Sequence, residues 1–179
     1  MTRRVRHKLL MCAAVLAASG PQARVGETLA QSEARYGGPG QEVRDADALI
    51  LKNAKNVVYN HGDWIITAAF INDVTARIQY EKAGPQLQAR QKLGREEVAE
   101  IIEAEDARGW TVFNETTQKA GKPYAGEGHP PPVLRSASGL TARYRVFSVV
   151  VESPSAARHE SGLTTQQKLK PVSRTRVAL

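Results

Sequence analysis

The sequence has one cysteine, Cys12, and it falls inside an apolar run over residues 9–18. The domain that follows is therefore expected to hold no disulfide and to do no thiol chemistry. Leu9-Leu10-Met11-Cys12 has the outline of a bacterial lipobox, but Met11 is too large for the position before a lipidated cysteine, and lipidation is not expected. Long apolar stretches are missing too. The run is about ten residues, well short of the roughly 20 that a membrane-spanning helix needs, so no transmembrane segment is expected. There is no H-x-x-x-H pair and no cysteine cluster to hold a metal. Ser136-Ala137-Ser138-Gly139 lacks the G-x-S-x-G elbow that presents a hydrolase nucleophile. Gly121, Gly126 and Gly128 do not open onto a helix whose N-terminus could receive a phosphate. No metal, no cofactor and no repeat architecture is expected.

What is present begins with a leader. Arg3, Arg4, Arg6 and Lys8 precede the apolar run, no acidic residue accompanies them, and small residues and Gly20-Pro21 follow. A basic n-region, a short apolar h-region and a small-residue exit are the layout of a secretory signal peptide. Residues 1–19 are expected to be cleaved, with the cut between positions 19 and 23, and the remaining protein to be periplasmic or extracellular. The formal net charge of +7 belongs to the two ends. The leader holds four of the basic residues, and residues 152–179 hold five against Glu152 and Glu160. Residues 24–151 carry sixteen basic and sixteen acidic side chains and are neutral. A basic face for specific nucleic-acid binding is therefore not expected.

The spacing of residues predicts an α+β fold: a short N-terminal helix, an antiparallel β-meander, a second helix and further C-terminal strands. Thr28-Leu29-Ala30-Gln31 fits a capping box and starts a helix over 29–36, stopped by Gly37 and Pro39. Val57-Val58-Tyr59 is a strand candidate, and Leu49-Ile50-Leu51 is a short strand or part of an irregular approach. Residues 64–71 are apolar on both faces, as in a covered central strand. Asn72-Asp73 makes a two-residue hairpin turn, and residues 74–80 alternate, with Val74, Ala76, Ile78 and Tyr80 inward and Thr75, Arg77 and Gln79 outward. A second helix is predicted over 95–108, its stripe made by Val98, Ile101 and Ile102 and its wet face by glutamates. Trp110 leads a strand into the core. Residues 115–139 read as a long Gly/Pro-rich loop, 140–151 as one final strand, and 152–179 as a disordered basic tail. The single domain is thus expected over 24–151.

The acid/base and ligand-type side chains of that domain are few. His61 and Asp63 share a hairpin tip, and Glu127 and His129 share the long loop. These four are the candidates for a small envelope hydrolase or carbohydrate-active enzyme. No catalytic residue is identified among them, since a solvated turn and a loop account for both pairs. The lack of any nucleophile, metal or phosphate motif favours a non-enzymatic binding or interaction module of the cell envelope, with an envelope protein or a glycan as partner. The basic tail offers a further route, attachment to an anionic surface through charge.

The leader, Thr28 with Arg35-Tyr36-Gly37-Gly38-Pro39, and the hairpin stretch Phe70-Ile71-Asn72-Asp73-Val74-Thr75-Ala76-Arg77-Ile78-Gln79-Tyr80 resemble those of small exported bacterial proteins of uncharacterised function. The likeness extends over residues 27–151, through the second helix and Trp110. The order of helix, Gly-Pro break and β-meander is more distantly similar to the small lipoprotein of the outer-membrane β-barrel assembly machinery. That resemblance implies protein binding at the outer membrane, although the lipobox cysteine at a mature N-terminus has no counterpart here.

Overall fold

The computed structural model describes residues 24–84, 89–126 and 131–169; the leader, Cys12, Glu127 and His129 lie outside them. The fold is α+β. One antiparallel sheet takes its strands from the whole described chain, in the spatial order β1-β2-β3-β4-β10-β9-β8-β6-β7, with β5 paired to β4. The strands are β1 (Gln41–Glu42), β2 (Lys55–His61), β3 (Trp64–Ile71), β4 (Val74–Ala83), β5 (Arg90–Gln91), β6 (Trp110–Asn114), β7 (Lys119–Tyr124), β8 (Val133–Ser136), β9 (Thr141–Arg145) and β10 (Ser148–Glu152). Helices α1 (Leu29–Tyr36), α2 (Arg95–Glu105) and α3 (Pro154–Leu169) complete it.

Local chemistry sets the first elements as expected. The Thr28 hydroxyl accepts from the Gln31 amide at 3.3 Å and the Gln31 side chain accepts from the Thr28 amide at 2.8 Å, closing the capping box of α1. Gly37 ends that helix at φ 84°, and the Gly38 amide donates back to the Glu33 carbonyl at 2.9 Å. Asn72 and Asp73 turn the β3–β4 hairpin at φ 50° and 64°, the paired left-handed conformations that a two-residue turn demands.

The alternation of β4 is only half as expected. Ladder register shifts at Ala69/Phe70, where Phe70 faces Thr75 while Ala69 faces Arg77. Ala76 is the extra residue of a β-bulge, which moves everything before it to the other side of the sheet. Ile78 and Tyr80 point into the main core, but Ala76 packs with Leu51, Ala69 and Ala156 on the opposite face. Val74 is 42% exposed, and Thr75, expected outward, is 1% exposed. Its hydroxyl donates to the Glu27 carbonyl at 2.8 Å, so the bulge also docks the segment ahead of α1.

Four further segments differ from expectation. Helix α2 stops at Glu105, three residues early, because Asp106 takes an extended conformation and its carboxylate accepts from the Arg108 amide. The 115–139 stretch contains β7 and β8, which pair on either side of β6. Residues 140–151 are a hairpin, β9 and β10, folded at Val146 and Phe147. The tail read as disordered from residue 152 holds α3, anchored on the sheet through buried Ala156. Of the two alternatives for Leu49-Ile50-Leu51 the irregular one is found: it forms no strand and closes a strap that begins at β1 and passes through a 3-10 turn at Ala46–Ala48.

The main core lies between one sheet face and α2. Val98, Ile101 and Ile102 of the helix meet Val57, Ile66, Ile78, Tyr80, Val149, Val151 and Leu134 of the sheet. Trp110 is buried there, its indole N–H donating to the Ile102 and Asp106 carbonyls at 2.9 and 3.1 Å. The strap is held on the opposite face. Just ahead of it, on the main-core side of the sheet edge, a Cβ on Gly40 would stand 2.4 Å from Val57 Cγ1, so only glycine lets the chain pass. At the strap's end, Asn56 is buried and makes four bonds: Oδ1 accepts from the Ile50 and Leu51 amides, and Nδ2 donates to the Leu51 and Ala54 carbonyls. Alanine there would remove this partner from two buried and two half-buried backbone groups. Asn56→Ala is expected to lower unfolding free energy by about 3 kcal/mol, measured by urea denaturation; a cost under about 1 kcal/mol would show that the strap holds without this side chain.

Candidate functional site

The two described candidates from the sequence make separate contacts. His61 ends β2 with its ring edge-on to Tyr36, centroids 5.7 Å apart. Asp63, two residues on, accepts from the Lys82 ammonium at 3.2 Å, and Lys82 also pairs with Glu97 of α2. The first side chain packs on α1 and the second ties the β2–β3 turn to Lys82 of β4, which itself reaches α2 through Glu97. Among the described residues, no group of three or more His, Cys, Asp and Glu is placed to hold a metal ion.

The end of α2 carries two adjacent buried carboxyl groups with opposite fates. Glu105 lies in the core, where the Tyr80 hydroxyl donates to it at 2.6 Å and the Val25 amide at 2.9 Å. Burial dominates these bonds and pushes its pKa up to about 7. Asp106 is also buried, which works against its charge. The Arg108 guanidinium and the Ser138 hydroxyl outweigh burial and hold it well below the usual carboxylate range. Ser136 and Ser138 contact each other at 2.8 Å, so the serine run clasps the β8–β9 turn to the helix end. That is its structural role.

A concavity lies on the sheet face opposite α2. Ladder register builds its floor in cross-strand rows. Val58, Thr67, Gln79, Val150 and Arg143 stand side by side on β2, β3, β4, β10 and β9. The next row holds Ile65, Glu81, Ser148 and Arg145 on β3, β4, β10 and β9. The strap from Gln41 to Ile50 rises along one side and encloses a cleft of about 1140 Å³. Its two sides differ in charge. The strap contributes Glu42, Asp45 and Asp47 against Arg44, whereas the far side has Arg143 and Arg145, with Arg90 beside Glu81. Arg145 is exposed and makes no ion pair within the described residues.

One end of the cleft is closed by an ion-pair network. Arg77 of β4 bonds Glu152 of β10, bonds Glu160 of α3 at 2.7 and 2.9 Å, and donates to the Ile50 carbonyl of the strap at 2.7 Å. Glu152 also accepts from Arg143, which reaches Glu115 at 3.0 Å. These residues escaped the sequence reading as a site because strand partners cannot be read from one strand. The available signal was the alternation that placed Arg77 and Gln79 outward on β4, together with Arg143 and Arg145 two apart near the chain's end. The arrangement can recognise charge and hydrogen-bonding groups of both signs on a preformed surface.

No helix among the described residues is long and apolar enough to cross a membrane. Comparison with protein-family models, with curated proteins and with solved structures gives no match.

The Glu105 carboxyl makes stability depend on pH. Its folded pKa of about 7 lies above its ordinary value of 4.5, so the folded state binds the extra proton between those values. Stability should be greatest at the acid end of that window and fall as pH rises through it, by about 2 kcal/mol between pH 5 and 7.5. Glu105→Gln should flatten this part of the curve; a variant with the parent's slope would place the titration elsewhere.

Proposed function

We propose that the protein is an exported, non-enzymatic binding module of the cell envelope, and that the cleft on the outer sheet face is its ligand site. The export leader motivates the location: four basic residues, a short apolar run and small residues in that order. The cleft carries the binding reading. Its polar groups stand on four adjacent hydrogen-bonded strands, which fix their spacing before a ligand arrives, and preorganisation of this kind lowers the entropy cost of binding. Most of its arginines are already tied to carboxylates, so the surface suits a discrete ligand carrying both signs of charge better than a polyanion.

The partner classes are an envelope protein or a glycan. Fragments of both, peptides and oligosaccharides, can be titrated into the isotope-labelled full chain while amide shifts are followed, and the recovered ligand examined by mass spectrometry. The proposal expects shifts at Thr67, Gln79 and Arg145 and a ligand returned intact. Cleavage of the ligand would replace the module with a hydrolase, and shifts confined to His61 and Asp63 would move the site to the hairpin tip.

A further inference from the structure

The charge arrangement of the cleft narrows its ligand, given the reading that the cleft is the binding site. We infer that it takes a short peptide with free ends, lying across the strands, its ammonium group at the strap and its carboxylate at Arg145. The two sides of the cleft have opposite excess charge, acidic on the strap through Glu42, Asp45 and Asp47 and basic on β9. A ligand of one sign would gain on one side and be repelled on the other. A dipolar ligand aligned with the cleft gains on both.

Length agrees with this. From β2, beneath the strap, to β9 there are four strand spacings of about 4.8 Å, or about 19 Å. An extended peptide advances about 3.3 Å per residue, so roughly six residues bridge the two sides. Between the charged ends, the floor offers what a peptide backbone needs. The Gln79 carboxamide can donate to a carbonyl and accept from an amide, the Thr67 hydroxyl can do the same, and Val58, Ile65 and Val150 give shallow apolar contact for small side chains. Arg145 is the anchor for the carboxylate because it is exposed and makes no ion pair within the described residues, whereas Arg143 is bonded to Glu152 and Glu115.

The test uses the full chain and a six-residue peptide of alternating glycine and serine in three forms: both ends free, N-acetylated and C-amidated. Affinity is read by calorimetry and location by amide shifts. The free form should bind in the cleft, and blocking either end should weaken it at least tenfold. Arg145→Glu, at an exposed position, should weaken the free and acetylated forms tenfold and leave the amidated form unchanged. Asp47→Lys should do the reverse, sparing the acetylated form. Equal binding of all three forms, or indifference to Arg145→Glu, would overturn the dipolar peptide while cleft shifts kept the site. Cleft shifts with a neutral oligosaccharide and none with any peptide would likewise overturn the peptide and leave the site standing. If no peptide or glycan moved a cleft amide, both readings would fall.

Discussion

The bidentate guanidinium of Arg77 is the point at which the outer face of the sheet is tied together. It stands just after the β4 bulge and is 12% exposed, opposite a Glu152 carboxylate that is 7% exposed. A charge taken this far from water needs close partners of opposite sign, and the two terminal guanidinium nitrogens have them while Nε is left without one among the described residues. Compensation comes from three directions: Glu152 on the neighbouring strand, Glu160 on α3 and the Ile50 carbonyl on the strap. Each partner belongs to a different segment, so satisfying one side chain brings three segments into register. Glu152 in turn holds Arg143, which extends the network along β9 and gives the cleft its closed end.

The two faces of the sheet therefore obey different physics. The face under α2 is largely apolar, and Glu105, a carboxyl buried in it, resolves the conflict with burial by binding its proton more tightly. The opposite face joins most of its arginines to carboxylates. The β4 bulge serves both faces: it turns Thr75 inward to hold the segment ahead of α1 and puts Ala76 outward beneath α3. A strand of strict alternation would have placed Ala76 with Ile78 and left α3 without that seat.

Features decided by neighbouring residues were legible in the sequence. The capping box of α1, its Gly37 stop, the Asn72-Asp73 turn and the buried stripe of α2 each depend on residues within about one turn of one another. Features decided at long range were not. The β9–β10 hairpin folds at Val146 and Phe147, which are 48% and 51% exposed and carry none of the Gly, Asn or Asp preference that marks such turns. Strand β7 reads Lys-Ala-Gly-Lys-Pro-Tyr, poor in β-formers, and is a strand because β6 pairs with it. Helix α3 has a weakly patterned sequence and gains its place from Ala156 and Glu160. The cleft is the extreme case: Gln79, Val150 and Arg143 meet only because β10 inserts between β4 and β9. The candidates His61 and Asp63 stand two residues apart in sequence, and their contacts run to different elements, α1 and β4.

The dependence of the outer face on Arg77 can be measured by a double-mutant cycle with Glu152, using Arg77→Met and Glu152→Gln and urea denaturation of the full chain. Removing Glu152 leaves Arg77 with Glu160 and the Ile50 carbonyl, and removing Arg77 leaves Glu152 with Arg143; each keeps a charge with fewer partners in a site with little water, so the two changes should be strongly non-additive. A coupling free energy above about 2 kcal/mol is the expected result. Additivity within about 0.5 kcal/mol would mean that the pair is incidental and that the strap, α3 and the cleft are held by something else.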